Sequence, residues 1–79
     1  MEIRLKAGAA DRLLAKNRMT RGELAKEFEV GAVEMNLVLD GKIGADEDFV
    51  LLLIAAFGAN KVKKAINWTA IKKVKGSVL

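Results

Sequence analysis

Residues 20–41 read TRGELAKEFEVGAVEMNLVLDG, and the fold of the chain turns on this stretch. Thr20 is a helix-capping residue type, and Glu23 three positions later completes a capping box, so a helix is expected to begin here. Leu24, Ala25 and Phe28 follow at helical spacing and give that helix one apolar stripe. At Val30-Gly31 the glycine supplies backbone freedom for a stop and a sharp turn. A second helix then carries Met35, Val38 and Leu39 inward and closes at Asp40-Gly41. Two short helices joined by a tight turn make a helix-turn-helix unit.

Working outward, residues 1–5 read as an extended lead-in whose Ile3 and Leu5 can dock on a core. Residues 6–17 repeat apolar positions Ala10, Leu13 and Leu14 at helical spacing and are expected to form the first helix. Met19, just before the Thr20 cap, stands where a hydrophobic staple would set the angle of entry into the next helix. After Gly41 comes a short loop, then Asp46, Glu47 and Asp48, acids suited to the positive end of a helix dipole. That helix is expected to run to Phe57 and stop at Gly58.

The run from Phe49 to Phe57 has no polar face. Val50, Leu51, Ile54 and Phe57 are expected to face the core, which leaves Phe49, Leu52 and Ala56 needing cover from the C-terminal segment or from a second copy of the chain. Residues 61–75 favour helix on their lysine and alanine content, with a strand as the competitor.

Thr20-Arg21-Gly22-Glu23-Leu24-Ala25 resembles the T-x-x-E-L-A opening of the lambda-repressor-like (Cro and XRE type) helix-turn-helix domains. Val30-Gly31 lies where that family turns, Gly41 fits its close, and residues 46–58 look like the helix after the recognition helix, with its A-x-F-G ending. The resemblance covers about residues 5–60. It implies an all-α bundle of four or five helices, with a C-terminal strand left open, in which residues 1–60 form the helix-turn-helix domain and 61–79 a basic segment for dimerisation or DNA backbone contact.

By the same resemblance, residues 31–39 would enter the major groove of double-stranded DNA, presenting Ala32, Val33, Glu34, Asn36 and Leu37. Asn36 suits adenine, Ala32 or Val33 suits a thymine methyl, and Glu34 suits cytosine at the cost of repulsion from phosphate. Thr20 and Arg21 would meet phosphate at the start of the preceding helix, flanked by Arg18 and Lys42. The family usually places Gln, Ser, Arg or Lys where Ala32 to Leu37 stand. An open alternative is therefore a protein-contact face of Val33, Leu37 and Leu39, as in an antirepressor or assembly factor that keeps the fold without specific DNA binding.

Composition narrows the rest. A chain of 79 residues without cysteine or histidine is a small single domain with no disulfide, no usual zinc site and no thiol or imidazole catalysis. Thr20, Thr69 and Ser77 have no histidine to activate them, which rules out a triad; an enzyme is not expected, and no cofactor or small-molecule ligand is implied. No secretory signal is visible and the longest apolar run is too short to cross a bilayer, which makes a cytoplasmic protein, nucleoid-associated if it binds DNA, the plain expectation. The net charge of +4 divides as +4 over residues 1–22, −6 over 23–60 and +6 over 61–79, so phosphate contacts would come from the two ends, Arg12, Lys16 and the tail lysines among them. Trp68 reads as a core or interface residue before it reads as a base-stacking one. Taken together, these features lead to the expectation of a small transcriptional regulator of the phage repressor, Cro or activator kind, acting as a homodimer on two half-sites.

Overall fold

The computed structural model describes residues 3–67 and is all-α over them. Five helices follow in order: α1 (Ala9–Lys16), α2 (Arg21–Phe28), α3 (Ala32–Leu39), α4 (Glu47–Phe57) and α5 (Ala59–Ala65). Among the described residues no strand forms. The lead-in is held by two isolated antiparallel bridges, Ile3 with Ala45 and Leu5 with Ile66.

Local signals account for the start of two helices. Thr20 Oγ accepts from the Glu23 amide at 3.1 Å while the Thr20 amide donates to Glu23 Oε1 at 3.1 Å, the reciprocal capping box expected for α2. The Asp46 carboxylate accepts from the Phe49 amide at 2.8 Å and caps α4, with Glu47 and Asp48 in its first turn.

Other boundaries differ from expectation. The first helix begins at Ala9 behind a left-handed Gly8, three residues later than the apolar spacing predicts. The turn between α2 and α3 does not use the freedom of Gly31, which is extended at φ −62°; the left-handed residue is Glu29 at φ 56°. Gly41 does use it, at φ +74°, and a side chain there would collide with the Leu5 carbonyl oxygen, so the lead-in lies directly on this turn. The helix predicted over 61–75 instead starts at Ala59 and ends at Ala65, because Ile66 turns extended to pair with Leu5. The remainder of that segment, with Trp68, Thr69, Lys72, Lys73, Lys75 and Ser77, lies outside the described residues.

The core gathers apolar stripes from every helix. Leu24, Met35, Leu39 and Val62 are its most deeply buried large side chains, each at 1% exposure or less. α3 packs on α2, while α5 packs on both α4 and α1. Burying each such side chain contributes about 1.5–3 kcal/mol, which is how so short a chain can hold together.

On α4 the expected orientation holds in part: Phe57 is buried, Val50 and Ile54 pack half-buried against the core, and Leu52 and Ala56 are exposed, but Phe49 and Leu51 exchange places. Phe49, Leu53 and Phe57, spaced by four, are buried, and Phe49 meets Phe28 edge-to-face at a centroid distance of 5.3 Å. Leu51, expected inside, is 62% exposed. Leu39, counted in the alternative protein-contact face, is also buried. Among the described residues no helix is long and apolar enough to cross a membrane.

Candidate nucleic-acid interface

Eight-residue α2 and α3 meet through a three-residue turn, Glu29 to Gly31, and Arg21 opens α2 beside α3. Its Nε and Nη2 donate to the two carboxylate oxygens of Asp11 on α1, each at 2.9 Å. Nη2 also donates to Asp40 Oδ1 at 2.7 Å, and Nη1 to Asn36 Oδ1 at 3.1 Å. One guanidinium therefore ties α1, α2 and the end of α3 together. The fork on Asp11 is bidentate, but both partners touch water, so the pair contributes only about 0.2–1 kcal/mol.

The cluster sets the charge state of its members. Hydrogen bonds from Arg21 hold the Asp11 and Asp40 carboxyls below the usual carboxylate range, and the same bonds, Asp11 first, make the guanidinium still harder to deprotonate. Two carboxylates against one guanidinium leave this spot with one net negative charge. Because Arg21 has only donors to offer, it must meet the amide oxygen of Asn36, which turns Nδ2 away from the guanidinium.

α3 divides cleanly between core and surface. Met35, Val38 and Leu39 are buried, Leu37 is half-buried, and Ala32, Val33, Glu34 and Asn36 are exposed, Val33 at 76%. Arg21, Ala32 and Asn36 line one shallow depression between α2 and α3. Glu34 belongs instead to a groove on the α4 side, with Phe28, Asp46, Asp48 and Leu52. Arg18 is exposed in the α1–α2 turn at φ 53°, and Lys42 is exposed beyond α3; neither lines that depression. Thr20 stands exposed at the cap.

No protein-family model, curated protein or solved structure matches this chain.

Two features of the surface were not anticipated from the sequence. Asp11 and Asp40, the partners of Arg21, lie 10 and 19 residues from it, separations that carry no local signal. The second is a cleft between α1 and α5 lined by Lys6, Arg12, Lys16, Lys61 and Lys64, with Ala9 and Ala65 at its floor. Here a signal did exist: Arg12 and Lys16 are four apart on one helix, and Lys61 and Lys64 three apart on another, so each pair shares a face.

Proposed function

We propose that this chain is a lambda-repressor-like helix-turn-helix domain that binds double-stranded DNA as a small transcriptional regulator in the cytoplasm, with residues 31–39 in the major groove. The observation that carries this reading is the division of α3. Its buried residues anchor it to the core, while Ala32, Val33 and Glu34 in its first turn and Asn36 in the next are exposed, the side and end of a recognition helix that meet base edges.

Asn36 is the specificity residue in this scheme. Arg21 occupies one lone pair of its oxygen, leaving the other lone pair and two N–H donors for the N6 and N7 edge of adenine. Arg21 thereby positions Asn36, and the phosphate contacts fall to Arg18, Lys42 and the backbone amides at the start of α2. A homodimer would set two α3 helices about one turn of DNA apart, and exposed Leu51 and Leu52 of α4 are the apolar surface for pairing. No catalytic role, cofactor or small-molecule ligand enters this reading.

A second reading, a protein-interaction module of the antirepressor or assembly-factor kind, draws support from the acids Glu34, Asp46 and Asp48 around the groove beside the exposed Val33. A duplex-binding titration with selected sequences, at several salt concentrations, separates the two. The regulator is expected to prefer some sequences by about 4 kcal/mol or more over random duplex. Absence of any preference at moderate salt overturns it.

A further inference from the structure

The cleft between α1 and α5 brings five cationic side chains to one concave surface: Lys6 from the link between the lead-in and α1, Arg12 and Lys16 from α1, and Lys61 and Lys64 from α5. Among the described residues no carboxylate lines it, and none of the five makes an ion pair with another of them. The main chain fixes the arrangement, because the Lys6 amide donates to the Ala65 carbonyl at 2.8 Å and Leu5 pairs with Ile66. An adjoining depression shares Lys6 and Lys64 and adds Asn60 and Lys63.

Like charges around one cleft raise one another's potential. Salt screens exposed charges over a Debye length of roughly 10 Å at about 0.1 M, so the cleft attracts anions most strongly at low salt. Among the described residues its apolar lining is Ala9 and Ala65, too small to insert into a lipid interface or to anchor a protein hot spot. A partner would be recognised here by repeated negative charge alone. Beyond residue 67 the sequence adds three more lysines and no acid.

We propose that the α1–α5 cleft is a contact site for the phosphodiester backbone of double-stranded DNA, built from α1 and α5 and separate from the exposed face of α3. It binds without regard to sequence, and it does not depend on α3 reading a groove. Its contribution is salt-dependent affinity, which the acidic surroundings of α3 do not supply.

The test is fluorescence anisotropy of a labelled random-sequence duplex titrated with the full chain at salt concentrations from about 50 to about 200 mM. Neutralising the cleft with Arg12→Gln, Lys16→Gln, Lys61→Gln and Lys64→Gln together is expected to weaken binding about tenfold or more and to flatten the salt slope by up to about 0.9 for each phosphate that the variant leaves unneutralised. Replacing Lys16, Lys61 and Lys64 by Arg should preserve both. Circular dichroism checks the fold, and protection of Lys61 and Lys64 from acetylation by bound duplex tests the unaltered chain. Unchanged affinity and slope in a folded neutralised variant, unprotected lysines, or tighter binding of polyglutamate or phosphatidylserine vesicles than of duplex would each overturn the proposal, as would no duplex binding at all. Cleft-dependent binding with no sequence preference would uphold this site while removing the regulator reading. Sequence preference with a silent cleft would do the reverse.

Discussion

Arg21 Nη1 lies 3.1 Å from Asn36 Oδ1, so the first residue of α2 orients the side chain proposed to read a base from α3. The same guanidinium is fastened to Asp11 and Asp40, which means that the orientation of Asn36 is coupled to the charge state of two carboxylates on other elements.

That coupling gives a pH signature. Asp11 and Asp40 are held below their ordinary values, so the folded state takes up protons less readily than the unfolded chain. Their contribution to stability is therefore fully present above the unfolded carboxylate value of about 3.9 and is lost as pH falls through the folded values. Thermal unfolding of the wild type and Arg21→Gln followed from pH 7 to pH 2 should find the variant less stable near neutrality and the two curves converging in acid. Parallel curves would contradict the coupling.

Asn36→Ala should relax discrimination at one base-pair position by about 1–3 kcal/mol while leaving random-duplex binding nearly intact. A variant that selects the same sequences as the wild type would remove Asn36 from the recognition surface. Arg21→Gln is expected to blur the same position, because the amide is no longer held.

The orientation of α4 predicts a contrast between neighbours. Leu53→Ala should cost about 2–5 kcal/mol in chemical denaturation, as for a buried leucine, whereas Leu51→Ala should stay within about 0.5 kcal/mol. Leu51→Lys with Leu52→Lys should leave the fold intact and, if pairing runs through this surface, convert a dimer to a monomer in sedimentation.

Two glycines should respond in opposite directions. Gly41→Ala places a side chain at φ +74° and against the Leu5 carbonyl oxygen, so it should destabilise by more than about 1 kcal/mol. Gly31→Ser meets no atom within 4 Å, keeps an extended backbone and adds the capping hydroxyl that α3 lacks, so a gain of about 0.5–1 kcal/mol is expected in urea denaturation. Thr20→Ala, which removes half of the capping box, should lose about 1 kcal/mol.

Sequence by itself determined the features that are encoded within a few residues: five helical segments or nearly so, the Thr20 and Glu23 box, the Asp46 start, the stops at Gly41 and Gly58, and the inward set Met35, Val38 and Leu39. Each is a contest between a side chain and backbone groups one turn away, which local spacing resolves. Tertiary structure decided that Phe49 turns inward and Leu51 outward on α4, because a helix without a polar face carries little phase in its sequence and core contacts such as Phe28–Phe49 select one. It also decided the partners of Arg21 and the meeting of the α1 and α5 cations in a cleft. Charges far apart in the chain become neighbours only when packing brings their helices together.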